Sequence, residues 1–303
     1  MGNMKKILVS NGDYAHTLGI VRSLSIEGHT VDCIGKKFCL SRFSKYLNNV
    51  AFDDVLFKED SINIFLKFLS NSNYDFFIPI GANAVYITNL YREEINKFTK
   101  IILAPKNSIE QCLNKEILLS KALSLGLFVP KTFRFDNYED FKSNLKNISF
   151  PVITKSQNEL KKQEVMYFYN SFELIEFMKI NKILKETLIQ ERIIGPGIGF
   201  FALYKNGIIK KFFIHKRIRE IPLKGGSSSF AESFFDKKAY SFGKKLLDDL
   251  NWNGVAMVEF KKNLKDGKLY LMEVNPKFWG SHDLAISSGI NFASELLIQD
   301  KKF

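Results

Sequence analysis

Two apolar segments near the end of the chain each carry a single carboxylate, and that pairing constrains the fold more than any other feature. Glu259 lies in Val255-Ala-Met-Val-Glu-Phe260 and Glu273 in Leu269-Tyr-Leu-Met-Glu-Val274, on either side of Asp266-Gly267. Asp-Gly between apolar strands is a strong hairpin signal. A carboxylate inside such a strand is costly unless it is paired or bound to a cation. Side chains alternate across a strand, so Glu273 and Asn275 share a face. The loop decides whether Glu259 joins them. A two-residue turn at Asp266-Gly267 sets Glu259 opposite Val274 and separates the glutamates. A three-residue loop, Lys265–Gly267 with Gly267 left-handed, sets Glu259 opposite Glu273. Facing carboxylates repel unless a cation lies between them, and an oxygen-only set suits Mg²⁺. The expectation is therefore the three-residue loop and a metal site at Glu259, Glu273 and Asn275. The competing account pairs each glutamate with a lysine or arginine in the core.

The 303 residues suffice for two or three compact domains. Over roughly the first hundred residues strands and helices alternate. Ile7–Ser10 closes on Asn11-Gly12-Asp13, and a helix on Leu18, Val21 and Leu24 stops at Gly28. Thr30–Ile34, Asp54–Phe57, a helix over Ile62–Leu69, Phe76–Ile80 and Ile101–Leu103 follow. This order implies a parallel sheet with crossover helices, whose ligands sit beyond the C-terminal strand ends. Asn11–Thr17 and Gly81-Ala82-Asn83 then stand at the mouth of a site, or are ordinary tight turns. Ser108 reads as a helix cap, and Lys115 opens a helix over Glu116–Leu125 that Gly126 ends. From about Phe150 the pattern becomes antiparallel. Its strands are Pro151–Lys155, Glu164–Tyr169, Leu188–Glu191 and a hairpin around Asn206-Gly207. Ser171 caps one helix, Asp236–Leu250 forms another, and Pro222–Ser229 is a loop. The fold class is α/β joined to α+β.

Lys155 ends an apolar strand. A buried ammonium there wants an anion such as phosphate, though a strand-end lysine also snorkels to water. Gln190-Glu191 ends the next strand and can offer a carboxylate and backbone to an adenine amino group. His215, Lys216, Arg217 and Arg219 form a basic cluster before Gly225-Gly226-Ser227-Ser228-Ser229. Arg217 and Arg219 share a face if the strand continues, and such a pair clamps a carboxylate or phosphate. The alternative is a solvated hairpin edge. The net charge of +12 points to an anionic partner or to a lysine-rich composition throughout. No arginine stripe with interleaved aromatics marks a nucleic-acid groove. Cys33, Cys39 and Cys112 are odd in number and lack Cys-x-x-Cys spacing, which argues against a disulfide framework or zinc site and for a reducing cytoplasm. No apolar run reaches the roughly 18 residues of a membrane helix.

Taken in this order, the segments resemble the ATP-grasp superfamily, and most of all its carboxylate–amine ligase branch, the kin of carbamoyl phosphate synthetase and biotin carboxylase. The resemblance covers essentially the whole chain. Its most specific parts are Arg217–Pro222, Gly225–Ser228, Trp252–Phe260 and Met272–Ser281, the last with Glu-Val-Asn-Pro-Lys inside it. It implies an ATP-grasp fold with an N-terminal Rossmann-like pre-grasp domain over 1–107 and the grasp over 108–303. A small lid subdomain would span about 150–192 and a C-terminal subdomain about 193–303. Lys115 and Lys155 resemble the lysines that contact nucleotide phosphates. Gln190 and Glu191 would line the adenine pocket, with the backbone of Arg192, Ile193 and Ile194 as its hinge. Glu259, Glu273 and Asn275 resemble ligands of Mg²⁺, with Mn²⁺ as an alternative ion. Arg217, Arg219 and Lys277 would face the acyl substrate or the transferring phosphate, Lys277 standing where an arginine is usual.

The implied chemistry is activation of a carboxylate by ATP, giving an acyl phosphate that an amine attacks. The implied partners are a small-molecule carboxylate and an amine, with a homodimer allowed; the missing arginine stripe and the missing membrane-length apolar run add the expectation of no nucleic acid and no membrane. Besides Lys277, two departures stand out. Ser156–Lys162 holds no glycine where the family has a glycine-rich phosphate loop, and the chain ends at Phe303 where relatives often continue. An ATP-binding regulatory protein with a degenerate grasp stays open as the alternative, and phosphorylation of a non-carboxylate as a third reading.

Overall fold

Ile7, Leu8 and Val9 are fully buried, as a central parallel strand covered on both faces requires. Their strand, β1 (Lys6–Val9), pairs in parallel with β2 (Thr30–Ile34) and β4 (Phe76–Ile78). With β3 (Asn49–Phe52) beside β2, the order is β3-β2-β1-β4. The computed structural model describes residues 4–52, 57–158, 160–161, 164–180, 184–221 and 226–298. Alternation along β1 sends Ile7 and Val9 into one core and Leu8 into another. α1 (Ala15–Ile26) adds Ile20, Val21 and Leu24 to the first, each worth roughly 1.5–3 kcal/mol when buried. α2 (Ile62–Ser70), α3 (Ala82–Leu90) and α4 (Arg92–Asn96) close the second.

The strand beside β2 is Asn49–Phe52, and most of the expected strand Asp54–Phe57, residues 54–56, lies outside the described residues. Phe57 is a core residue outside any strand. Ile101–Leu103 forms no strand; a single bridge between Phe76 and Lys100 stands in its place. α5 (Lys106–Leu113) contains Ser108, whose hydroxyl donates to the Leu250 carbonyl at 2.6 Å instead of capping the helix. α6 (Lys115–Ser124) is capped by Asn114, which accepts from the Glu116 and Ile117 amides, and Gly126 with φ +77° turns the chain after it.

β5 (Thr132–Phe133), β6 (Val152–Ser156), β7 (Met166–Phe168) and β8 (Thr187–Glu191) form an antiparallel sheet in the order β5-β8-β6-β7. α7 (Tyr138–Asn144) and α8 (Ser171–Ile180) supply Phe141, Leu174 and Met178 to the core on one face, with Val152, Phe168 and Ile189 from the strands. Asn170, not Ser171, caps α8: it accepts from the Glu173 amide at 3.0 Å, while Glu173 accepts from the Tyr169 amide.

β9 (Gly197–Lys205) and β10 (Ile208–Ile221) meet at Asn206 and Gly207, left-handed at φ 52° and 75° as that hairpin turn demands. β11 (Ser227–Ser233), α9 (Lys237–Asp249), β12 (Gly254–Lys262) and β13 (Leu269–Asn275) complete a sheet ordered β11-β10-β9-β12-β13. Ser227–Ser229, expected in a loop, belong to β11, and 222–225 lie outside the described residues. α10 (His282–Ser287) and α11 (Phe292–Leu297) return to the first core. The chain divides into two units: Met1–Ile109, Gly199–Met257 and Asn275–Phe303 in one, Glu110–Ile198 and Val258–Val274 in the other, so β12 and β13 pass through both. Among the described residues no helix is long and apolar enough to cross a membrane.

Candidate active site

In the second unit the core fixes which way the strands face. Val152 and Ile189 point into it, so Ile153, paired with Gln190, and Lys155, paired with Leu188, point to the other side. Lys155 and Gln190 therefore share a face. Glu191 pairs with Val152 and lies on the opposite one, where its carboxylate accepts from the Lys131 amide at 3.3 Å. Gln190 is fully buried; its amide donates to Thr132 Oγ1 at 2.8 Å, and its Oε1 has no partner among the described residues. Such an acceptor calls for a donor from water or ligand. Lys115 opens α6, and its amide donates to the Gln157 carbonyl at 3.0 Å, just beyond β6. Lys115 and Lys155 are thus brought to the same end of β6, at 7% and 8% exposure.

The segment after β8 is held at both sides. Arg192 donates its amide to Pro151, and its guanidinium lies 5.0 Å from the Tyr167 ring and bonds the Tyr169 hydroxyl at 3.0 Å. Ile193 is buried and Ile194 half exposed. The Leu264 amide donates to the Ile194 carbonyl and the Lys262 amide to Pro196. A Cβ on Gly195 would stand 1.8 Å from the Lys262 carbonyl oxygen, so only glycine permits this approach. The segment is thereby clipped to the strand that carries Glu259.

The hairpin itself departs from expectation. Asn263 donates its amide to Lys268 and accepts from Gly267, so the loop is the four residues Leu264–Gly267 rather than three. Gly267 is left-handed at φ 68°. The extra residue follows from side-chain turns: Asn263 Oδ1 accepts from the Lys265 amide at 2.9 Å and Asp266 Oδ1 from Lys268 at 3.0 Å. An unbroken register from this loop faces Glu259 with Met272, not Glu273. Burial alternates from Leu269 to Met272 and then breaks, Met272 and Glu273 both being half-buried, the pattern a one-residue bulge produces. Glu259 is also half-buried and Asn275 is 3% exposed. None of Lys115, Lys155, Glu259, Glu273 and Asn275 is without a partner. Among the described residues no group of three or more His, Cys, Asp or Glu could hold a metal; the expected set has two carboxylates and an amide.

In the first unit the basic strand is irregular. Arg217 pairs with Ala231 and Arg219 with Phe230, leaving Ile218 as an extra residue. Ala231 and Phe230 are consecutive, so Arg217 and Arg219 face opposite sides, against the expectation of a shared face. Arg217 is tucked in, with Nη1 3.5 Å from Glu220 and 3.2 Å from the Gly226 carbonyl, whereas Arg219 is exposed. Gly225 lies outside the described residues. His215 is buried against Phe201, its Nδ1 3.2 Å from Ser281 Oγ; burial, then the Arg217 charge, holds it down to about 3, so it is neutral at physiological pH. Lys277 is half-buried, and its charge acts with burial to hold His16, in the first turn of α1, down to about 4. Nothing in the local sequence signals that His16 and Lys277 lie together. Asn11 accepts from Ser10 Oγ and from the Gly81 amide at 2.8 Å, so the two loops at the strand ends are tied to each other.

No protein-family profile matches the sequence, and no curated protein matches it. Solved structures do match. An L-amino acid ligase from Bacillus licheniformis superposes with a TM-score of 0.74 at 18% identity, over 98% of this chain and 74% of that one. Biotin carboxylase from Campylobacter jejuni, in a β-γ-ATP complex, gives 0.77 at 15% identity, over 97% and 70%. The biotin carboxylase domain of Hydrogenobacter thermophilus 2-oxoglutarate carboxylase, with MgADP, ADP and bicarbonate, gives 0.74 at 15%, over 97% and 68%. The chain has the ATP-grasp fold, a mixed α/β architecture, in agreement with the sequence-based expectation. At these identities the fold is what is shared, and a fold does not fix an activity.

Proposed function

We propose that this chain is an ATP-dependent ligase that activates a small-molecule carboxylate as an acyl phosphate for attack by an amine. The observation that carries the reading lies in one unit. Two buried lysines, Lys115 and Lys155, stand at one end of β6, with Gln190 on the Lys155 face. The strap Ile194–Pro196 joins that sheet to the hairpin of Glu259 and Glu273. Structures of like fold include an L-amino acid ligase and carboxylases bound to ATP-type nucleotides and MgADP, which supports the same chemistry here.

In this reading Lys115 and Lys155 take the nucleotide phosphates through charge-assisted hydrogen bonds. The backbone of Arg192, Ile193 and Ile194 presents donors and acceptors to the adenine edge, kept in place by the two tyrosines under Arg192. Glu259, Glu273 and Asn275 would hold the cation: an oxygen-only set fits Mg²⁺ and Mn²⁺ better than softer ions. The bound ion supplies neutralisation of phosphate charge. Arg217, Arg219 and Lys277 are assigned to the substrate side, Arg217 by its half-buried position and Lys277 by its place beside His16. A substrate carboxylate oxygen attacks the γ-phosphorus, ADP leaves, and the amine then displaces phosphate from the acyl carbon. No protein nucleophile is needed, so the chain contributes positioning and charge stabilisation.

The test is ADP release from the full chain with Mg²⁺ and ATP, screened over pairs of small acids and amines including amino acids. The expected result is ADP and an amide product only when both partners are present. ADP with a non-carboxylate alone overturns the ligase reading. So does nucleotide binding, seen as a raised melting temperature, without ADP from any pair.

A further inference from the structure

The loop between β2 and β3 carries a feature that ligation does not use. Lys36-Lys-Phe-Cys-Leu-Ser-Arg-Phe-Ser-Lys45 interleaves cations with large apolar residues, and no acid occurs between Asp32 and Asp53. Phe38 and Phe43 are 72% and 75% exposed and Leu40 is 52% exposed. Lys36, Lys37, Arg42 and Lys45 are exposed beside them.

This outward display is fixed from below. Cys39 and Ser41 take the inward positions, both fully buried. The Ser41 amide and hydroxyl both donate to the Gly12 carbonyl, at 3.0 and 2.9 Å. Cys39 packs so closely that a Cβ on Gly12 would lie 2.9 Å from its sulfur. Arg42 Nη1 donates to the Lys37 carbonyl at 2.9 Å. Lys37 and Arg42 each lie 5.7 Å from the centre of the Phe38 ring. The result is a braced turn that holds apolar side chains in water, which is costly unless something covers them.

We propose that this turn docks on an anionic phospholipid surface. Side chains three-quarters exposed protrude rather than line a groove, so a small ligand has nothing to enter. Apolar tips amid lysine and arginine match the boundary between acyl chains and anionic headgroups. A single-stranded nucleic acid would stack on open ring faces, but Phe38 already carries Lys37 and Arg42 on its ring. The net charge of +12 adds long-range attraction to the same surface. The expectation of no membrane partner rested on the lack of a spanning segment, and surface docking needs none.

The experiment is co-sedimentation of the full chain with vesicles of phosphatidylcholine alone, or with about one-third phosphatidylglycerol. The protein should pellet with the anionic vesicles only and should be released by salt. Phe38→Ser with Phe43→Ser should lower the bound fraction at least roughly tenfold, and Lys36→Glu with Lys37→Glu should do so independently. These side chains are exposed, so the variants should keep the melting curve and any nucleotide-dependent shift of the parent, which separates failure here from failure of the ligase reading. Equal binding to both vesicle types, binding unaffected by both variants, or capture of a single-stranded oligonucleotide with vesicles ignored would each overturn the proposal.

Discussion

β6 with β8 and β10 with β11 are both strand pairs that present cations, yet they obey different rules. Between β6 and β8 the register runs unbroken from Val152–Glu191 to Ser156–Thr187, so Lys155 and Gln190 share a face because alternation says they must. Between β10 and β11 the register shifts on both sides of Arg219. Arg217 turns inward to Glu220 while Arg219 stays in solvent. Spacing of two is a statement about side chains only while the ladder is regular. The first pair belongs to the proposed nucleotide site and the second to the proposed substrate side.

The largest effect is expected outside both pairs, at the hairpin of β12 and β13. Glu273→Gln should weaken Mg²⁺-dependent ATP binding by at least ~100-fold, since even an outer-shell partner can cost that much. Calorimetry that shows unchanged Mg²⁺ dependence would remove the metal assignment. Lys155→Met comes next: loss of a charged hydrogen bond predicts roughly 10–100-fold weaker ATP binding with the unfolding midpoint retained. Should Arg219→Met weaken ATP as much, the division between the two strand pairs would fail.

Gly195→Ala probes the strap. Its Cβ would overlap the Lys262 carbonyl at 1.8 Å, and a loss of about 2–4 kcal/mol in urea unfolding is expected. A loss below about 0.5 kcal/mol would show that the segment moves aside freely. Acid stability tests the other unit. His215 and His282 are held down to about 3, by burial first and then by the charges of Arg217 and His16 respectively. An unfolded imidazole titrates near pH 6.5, so below that the unfolded chain takes up protons that the native one refuses. The contribution is complete above about pH 6.5 and lost as the pH falls toward 3. His282→Leu should therefore flatten the melting temperature between about pH 6.5 and 4, and a curve parallel to the parent would speak against it. Smallest of all, Arg219→Ala should change stability by no more than about 0.5 kcal/mol.

Local chemistry made much of the fold legible. Asn206-Gly207 was readable as a hairpin because few residues tolerate two left-handed positions, and Asp236 caps α9 by accepting from Lys238 and Ala239. The strand–helix alternation gave the parallel sheet. What failed were features that depend on a neighbour. Asn170 displaced Ser171 as the cap because Glu173 could close the reciprocal bond. Asn263 lengthened the hairpin loop, which moved the register on which the glutamate geometry depends.

The sequence by itself determined many of the strands and helices, where most turns fall, and which side chains are chemically able to meet phosphate or a divalent ion. These are properties of a few adjacent residues. Only the tertiary structure decided that Lys115 pairs with Gln157, that Ile194 is strapped to Leu264, and that His16 lies by Lys277. It also decided that Ile218 bulges out and parts Arg217 from Arg219. Such choices are made by hydrogen bonds and packing between segments far apart in the chain, and no local period encodes them.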